Sequence, residues 1–294
     1  MQQERDLILI IKGGTIQAIF SAGVVAALAK HNLYPRIHSV YAVSSGAHIA
    51  TFFLSQNMNI DQEVYYDILY KNRKFFRYLS FKLIWEKFWQ LFIHNKSVDI
   101  IDLDYIENLE RNVLKINTDN IKNSPINFFV RVFNKKTLRF EYLDAKIDTL
   151  KKIIQSSKVP PYAYSKENND LYLDGGIMPT RDFVNNVVKK HPDKKIIYIF
   201  NDKKTFKRVL KYLPWDLLDI LFKTRYLGLR YGVRHLLNIF NYPYIGSLKK
   251  YKNLYLVYDN SCASKTETNS DRINKAYMHG FEKGEDLLKI INNH

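Results

Sequence analysis

Cysteine is almost absent from this sequence. The 294-residue chain has one cysteine, which excludes a disulfide scaffold and any zinc site built on several cysteines. Long apolar runs are absent as well, since no stretch approaches the roughly 20 consecutive apolar residues that a membrane-spanning helix needs. The apolar run at 7–11 is shorter than a signal-peptide core and follows mixed charge. These absences predict a protein that is cytoplasmic or peripheral to a membrane, or exported without a classical signal.

Acidic residues are also in short supply. The chain has 29 Asp and Glu against 45 Lys and Arg, a formal net charge of +16. Such an excess predicts an anionic partner, which could be a phospholipid surface, a nucleic acid or an acidic protein. The excess is mostly lysine in a chain that is also rich in Asn, Ile and Tyr, so AT-rich codon usage explains the charge equally well. With 46% hydrophobic residues, the composition is that of a globular protein.

Apolar, β-prone runs alternate with helical patterns along most of the chain. The predicted strands are 7–11, 37–43, 126–133, 137–143, 171–173, 195–200 and 253–258, and the predicted helices are 16–31, 47–54, 147–157, 181–190 and 272–291. Continuous apolar runs such as 195–200 suit strands that are buried on both faces of a parallel sheet. The alternation over 7–54 is the βαβ rhythm of an α/β fold.

Two long segments depart from this alternation. Residues 60–125 predict a helical insertion, in which 71–94 is dense in aromatic and basic side chains, and residues 203–240 predict a second basic helical region broken near Pro214. Basic helices with aromatic residues can lie on anionic membranes or cover a lipase site, and they can equally pack their aromatics on a core. Because no repeat, linker or composition break interrupts the chain, we expect 1–294 to form a single domain.

One serine lies in a sharp predicted turn. The sequence Ala42-Val43-Ser44-Ser45-Gly46 joins a buried strand to an apolar helix, and such a turn lifts a hydroxyl out of the sheet edge beside amides that can stabilise an oxyanion. Small residues are needed two before and two after the serine, and Ala42 and Gly46 meet that need. Ser44 is therefore the candidate nucleophile, with Ser45 as its neighbour. A plain loop with a helix N-cap explains the same residues.

Two further turns carry possible chemistry. Gly13-Gly14-Thr15 follows the first strand, and a glycine-rich turn ahead of a helix offers N–H donors to an anion. Asp174-Gly175-Gly176 follows a short strand, and an aspartate held there could take a serine proton as general base. Taken alone, each motif is better explained as an ordinary tight turn.

Together, and in this order, the three motifs resemble the patatin-like phospholipases, which use a Ser–Asp dyad without a catalytic histidine. The likeness extends to 20–24 after the glycine turn, to 156–160 before the aspartate and to 172–177 around it, and 271–280 resembles the closing helix of bacterial members. It covers most of the chain, with weaker support at 60–125. The resemblance implies a three-layer α/β fold with a mostly parallel central sheet flanked by helices.

The resemblance also implies a role for each motif. Ser44 would be the nucleophile, Asp174 the base, and the backbone N–H groups of Gly13, Gly14 and Thr15 the oxyanion hole. The implied reaction is hydrolysis of an acyl ester through an acyl-enzyme, as in a phospholipase A or lysophospholipase, with no metal or cofactor. The implied substrate is a phospholipid or lysophospholipid, with peripheral contact to an anionic membrane.

The oxyanion motif departs from the family signature of three glycines, any residue, a basic residue and glycine. Thr15 stands for the third glycine, where a positive φ would be costly, Gln17 stands for the basic residue and Ala18 for the last glycine. Ala42 replaces the first glycine of the elbow, a milder change. The alternative is therefore a catalytically weak or inactive patatin-like protein that binds lipid or a protein partner.

Rival chemistries have less support. His48 lies one helical turn after Ser44, so its side chain would point along the helix, and we expect a packing or capping role rather than that of a catalytic base. No pair of histidines shows metal-ligand spacing, and we expect no metal. The charge would suit nucleic acid, but no nucleic-acid motif accompanies it and we expect no such partner. Cys262 is predicted to be an ordinary thiol.

Overall fold

The computed structural model describes residues 4–55, 101–160, 162–164, 171–178, 182–201, 206–238, 248–259, 267 and 269–292. The aromatic and basic segment 71–94, much of the insertion expected at 60–125, and Cys262 lie outside the described residues.

The described strands form one large and one small sheet. In chain order the strands are β1 (Leu7–Ile11), β2 (Ile37–Ala42), β3 (Ile101–Asp102), β4 (Asn127–Asn134), β5 (Arg139–Asp144), β6 (Ala163–Tyr164), β7 (Tyr172–Asp174), β8 (Lys195–Phe200) and β9 (Leu254–Tyr258). The large sheet has the order β5-β4-β2-β1-β8-β9, and β7 also pairs with β4. The strands from β4 to β9 in this order are parallel, whereas β5 and β7 run antiparallel to β4. Strands β3 and β6 pair separately.

Helices lie in the connections between these strands, and one further helix follows the last strand. They are α1 (Ile19–Lys30), α2 (Ser45–Leu54), α3 (Leu103–Asn108), α4 (Thr118–Asn123), α5 (Thr149–Gln155), α6 (Asp182–Lys190), α7 (Phe206–Leu227), α8 (Leu229–Asn238) and α9 (Ser270–Asn292). A 3₁₀ turn at Thr15–Ala18 precedes α1, another at Tyr34–Arg36 precedes β2, and a π-helical turn at Leu109–Val113 follows α3.

Side chains of β1 alternate between two hydrophobic cores. Leu7, Leu9 and Ile11 pack in the core that includes residues of α1, α2 and α9, whereas Ile8 and Ile10 pack in the core that includes residues of α6. All five are fully buried, as a continuous apolar strand in the middle of a parallel sheet should be. The sheet therefore lies between two helical layers, which confirms the expected α/β fold with a mostly parallel central sheet flanked by helices.

Glycines let α1 and α9 cross at close range. A Cβ added to Gly23 would collide with the carbonyl oxygen of Tyr277, and one added to Gly280 would collide with that of Phe20. Helix α1 is buried along its length from Ile19 to Leu28, as expected of an apolar helix that is covered on all sides. Helix α9 thus covers the helix that follows the glycine-rich turn.

Two features of the structure differ from the sequence-based expectations. The prediction of a helix break near Pro214 is wrong, because α7 continues through this proline and the chain turns instead at Gly228. Proline removes one amide donor but keeps a helix-compatible φ, whereas Gly228 has a φ of +93° that side chains disfavour. The small β3–β6 sheet was not predicted, since a two-residue strand carries no periodic signal.

Candidate active site

The pairing of β4 brings the candidate serine and aspartate to one place. Strand β5 occupies one edge of β4, so β2 and β7 must share the other edge. There, Ala42 at the end of β2 pairs with Val130, and Asp174 at the end of β7 pairs with Val132. The antiparallel β7 therefore runs toward the end of β2 and stops two residues, or about 7 Å, further along β4. Ser44 follows β2 at this point.

Ser44 has the backbone conformation of a strained elbow. Its φ of 56° and ψ of −138° are unfavourable for a residue with a side chain. It occupies the N-cap position of α2 without making a side-chain cap, and its hydroxyl instead acts on the Asp174 carboxylate, whose pKa it helps to lower. The plain N-cap explanation therefore does not describe this serine. A Cβ added to Gly46 would lie 2.5 Å from the carbonyl oxygen of Ile11, so the elbow can approach β1 because this position is glycine.

Asp174 is a buried carboxylate held by polar contacts. Burial raises its pKa, and the Gly176 amide, the Ser44 hydroxyl and the positive charges of Lys223 and Arg131 act in the opposite direction. The Gly176 N–H donates to Oδ1 at 2.5 Å, which fixes the carboxylate in its turn. A buried carboxylate beside a serine hydroxyl can accept that proton when the serine attacks a carbonyl carbon.

The aspartate turn is packed tightly on β4. A Cβ on Gly175 would collide with the carbonyl oxygen of Arg131, and the Arg131 guanidinium donates to the Gly175 carbonyl oxygen at 2.7 Å. This guanidinium is buried against the Phe140 ring, and burial lowers its pKa to about 10, so it remains charged at neutral pH. The Asp174 amide also donates to the Lys158 carbonyl at 2.8 Å, which ties the segment 156–160 to the turn.

The glycine-rich turn lies directly against the elbow. A Cβ on Gly13 would be 2.5 Å from the Ser44 Cβ and 2.6 Å from the Val43 carbonyl oxygen, so only glycine allows this approach. The Gly14 N–H donates to the Ser45 Oγ at 3.0 Å. Gly13 and Gly14 are thus brought beside Ser44, as expected from the sequence, and one of the two amides already has a hydroxyl partner.

The substituted positions of this turn have clear structural consequences. Thr15 has a φ of 55°, the left-handed region that a β-branched residue rarely adopts, as its replacement of a glycine led us to expect. Gln17 is buried, and its side-chain oxygen lies 3.4 Å from the position of a Cβ added to Gly14. A neutral amide therefore stands beside the turn at the position where the family signature has a basic residue. Ala18 is fully buried in the core next to it.

Asn201, which the sequence patterns did not single out, holds the glycine-rich turn in place through hydrogen bonds. It follows β8, is buried, and donates from its side-chain amide to the carbonyl oxygens of Lys12 at 3.0 Å and Gly13 at 3.2 Å. It also accepts from the Ser21 hydroxyl at 2.6 Å. Because a trans peptide points its N–H opposite to its carbonyl, holding these two carbonyls directs the N–H groups of Gly13 and Gly14 away from Asn201. A polar residue directly after a buried strand was the available signal.

His48 is packed, as expected, and its two ring nitrogens have other partners. Nδ1 lies 2.6 Å from Oε1 of Glu110, and Nε2 lies 3.1 Å from Oγ of Ser157. Both His48 and Glu110 are buried, and Glu110 is held in the π-helical turn. This network links α2 to the π-helical turn and to the residues just after α5, and it leaves neither nitrogen for Ser44.

Across the described ranges, no group of three His, Cys, Asp or Glu side chains could hold a metal ion. Nor is any helix of the described chain long and apolar enough to cross a bilayer.

Comparisons with known proteins found one family model and a similar solved structure. The family model for "Patatin-like phospholipase" matches residues 9–186, which include the glycine-rich turn, Ser44 and Asp174. Among solved structures, the chain is similar to VipD from Legionella pneumophila, with 15% identity and a TM-score of 0.43 over 97% of this chain and 67% of that one. No curated protein matches the chain significantly.

Proposed function

The chain belongs to the patatin-like phospholipase family, whose members are in general lipid acyl hydrolases, and on that premise we propose that it is a serine acyl hydrolase with a Ser44–Asp174 dyad. The observation that carries the proposal is the position of Ser44, in a strained backbone conformation, beside the buried Asp174 carboxylate, on whose pKa the Ser44 hydroxyl acts. A serine that only capped a helix would not need a strained backbone and a buried acid as its partner.

The proposed reaction uses the contacts of these two residues. Ser44 Oγ attacks the carbonyl carbon of an ester while its proton passes to Asp174, and the developing oxyanion is stabilised by the amides of the Gly13–Thr15 turn. Asp174 then returns the proton to the leaving alcohol as the ester bond breaks. Water then attacks the acyl-enzyme while giving a proton to Asp174, and Asp174 passes that proton to Ser44 Oγ as the fatty acid leaves. No metal or cofactor enters these steps.

We assign a phospholipid or lysophospholipid as substrate, cleaved in the manner of a phospholipase A or lysophospholipase. The family points to a lipid ester, and the net charge of +16 favours a surface of anionic phospholipid over a neutral one. The protein acts as a peripheral membrane protein in this proposal, and nucleic acid is not among its partners.

A second candidate function is a weak or inactive relative that binds lipid or protein. The observation that favours it is the Gly14 N–H, which donates to the Ser45 Oγ and so has a partner other than a substrate oxyanion. Thr15 in a left-handed conformation and the neutral Gln17 add to this argument. An oxyanion must then displace the Ser45 hydroxyl before Gly14 can stabilise it.

Covalent labelling separates the two candidates. We expect a fluorophosphonate probe to label the wild-type protein and Ser45→Ala, but not Ser44→Ala, and release of fatty acid from phosphatidylcholine to be lost in Ser44→Ala and Asp174→Asn. Ser45→Ala is the matched control, because it removes a hydroxyl one residue away. Absence of labelling in a folded wild-type protein would support the inactive alternative, and labelling that persists in Ser44→Ala would refute the dyad.

A further inference from the structure

The helical hairpin formed by α7 and α8 is hydrogen-bonded to the aspartate turn. On its inner face, Lys223 Nζ donates to the carbonyl oxygen of Ile177 at 3.4 Å, and the Tyr231 hydroxyl donates to the same oxygen at 3.3 Å. Lys223 is buried and forms an ion pair with Asp219 at 2.7 Å. Ile177 lies three residues after Asp174 and packs with Tyr231 in one small hydrophobic cluster.

The outer face of the same hairpin is apolar and exposed. Helix α8 places four apolar side chains at helical spacing on one face, where a soluble helix normally carries polar residues. Of the eleven large hydrophobic side chains exposed in the described part of the chain, seven belong to the hairpin: Leu217, Leu218, Leu221, Leu229, Val233, Leu236 and Leu237. Leu229 and Leu237 are each 74% exposed. The remaining four are scattered over other elements.

Basic residues accompany this apolar face. Arg230 and Arg234 are spaced one helical turn apart on α8, beside the leucines, and Arg225 is exposed near the end of α7. Over 206–238 the sequence has seven Lys and Arg and two Asp, and the ion pair of Lys223 with Asp219 on the inner face leaves six basic residues and one acidic residue. An exposed apolar face with cationic side chains beside it is the pattern of a helix that lies in the interface of an anionic bilayer.

We propose that the outer face of the α7–α8 hairpin docks on anionic phospholipid bilayers and so brings the membrane to the dyad. The choice of lipid as occupant rests on the proposed function and on the local positive charge, which an acyl-chain interface with anionic head groups complements. The hairpin lies outside the residues 9–186 that match the family model. Because its inner face holds Ile177, the docked bilayer is about one helix diameter, or about 10 Å, from the aspartate turn.

Vesicle binding of an inactive protein tests the docking face without any dependence on catalysis. In Ser44→Ala protein, we expect sedimentation with phosphatidylcholine vesicles that contain phosphatidylglycerol, and weaker sedimentation with pure phosphatidylcholine. Adding Leu229→Ser and Leu237→Ser should weaken this binding about tenfold or more, because two apolar anchors are lost. The matched control adds Ile147→Ser and Ile290→Ser, which are also exposed, and leaves binding unchanged.

Three results would overturn the docking proposal. The first is equal vesicle binding by the hairpin and control variants, and the second is no preference for vesicles that contain phosphatidylglycerol. The third is a drop in melting temperature confined to the hairpin variant, because it would mean that the chain itself covers these leucines. Hydrolysis of a water-soluble short-chain ester by protein with an intact Ser44 separates this proposal from the proposed function. Ester hydrolysis without hairpin-dependent binding refutes only the docking face, whereas hairpin-dependent binding without ester hydrolysis refutes only the hydrolase.

Discussion

Replacement of Asn201 should show whether the glycine-rich turn must be held in place for the reaction. Asn201→Ala removes two hydrogen bonds to the carbonyl oxygens of Lys12 and Gly13, and it removes the acceptor of the Ser21 hydroxyl. The side chain touches neither Ser44 nor Asp174 through these bonds. Any effect on the chemistry must therefore pass through the orientation of the Gly13 and Gly14 amides.

The expected magnitude follows from these three bonds. Loss of buried hydrogen bonds costs about 1 kcal/mol each, so we expect Asn201→Ala to lower the free energy of unfolding by about 2–4 kcal/mol. Removal of one oxyanion donor from a hydrolase lowers kcat by about 10²- to 10³-fold, and a turn that loses its orientation but keeps its amides should lose less. We therefore expect kcat per folded molecule to fall by about 10- to 100-fold.

Asn253 supplies a matched control for this experiment. Its side-chain amide donates to the carbonyl oxygens of His191, Pro192 and Lys194, so it pins a backbone turn in the same way. That turn precedes β8, at the opposite end of the strand from Asn201. Denaturant unfolding of Asn253→Ala should show a comparable loss of stability with an unchanged kcat on a soluble ester. If the two variants have the same kcat after correction for the folded fraction, the positioning role of Asn201 is refuted.

Two further changes test the site from other directions. Asp174→Asn should abolish ester hydrolysis and yet raise the free energy of unfolding at neutral pH. Burial raises the pKa of Asp174 above its ordinary 3.8, so there is a pH range in which the folded protein holds a proton that the unfolded chain has released. The free energy of unfolding of the wild type therefore falls as the pH rises through that range. Denaturant unfolding across mildly acidic to neutral pH should show this slope in the wild type and a shallower one in the variant, and a less stable variant at neutral pH would contradict the argument. Gly13→Ala should destabilise the protein by about 1–3 kcal/mol and remove activity, since its methyl group would meet Ser44, whereas Gly23→Ala should destabilise through the α1–α9 contact and keep its kcat per folded molecule; similar kcat losses in both would refute a local effect.

Local patterns in the sequence were sufficient to predict the sheet and the elbow. The run at 195–200 coincides with β8, because a continuous apolar run in a buried parallel strand needs no other information. Ser44 could be singled out since the small residues around it report the steric demand of the turn itself. Asp174 needed the family resemblance, because a lone Asp-Gly-Gly has the properties of an ordinary turn.

What the sequence could not reveal depends on contacts between distant residues. Asn201 fastens a turn that lies nearly 190 positions earlier in the chain, and no local spacing predicts such a pair. The same holds for Glu110 as partner of His48. The error at Pro214 has a different origin, since the intrinsic cost of a proline, about 3 kcal/mol, was outweighed by the packing of a long helix.

The crossing of α1 with α9 has a consequence for how the protein is made. Ser44 and Asp174 are both synthesised well before Ser270, but the buried helix that leads out of the glycine-rich turn acquires its cover only when α9 arrives. A nascent chain that ends before α9 would leave Phe20, Val24 and Ala27 of α1 without that packing layer, and pairing of such distant segments is slow to form. Ribosome-bound or prematurely terminated chains should therefore contain every residue of the dyad and still lack a stable site.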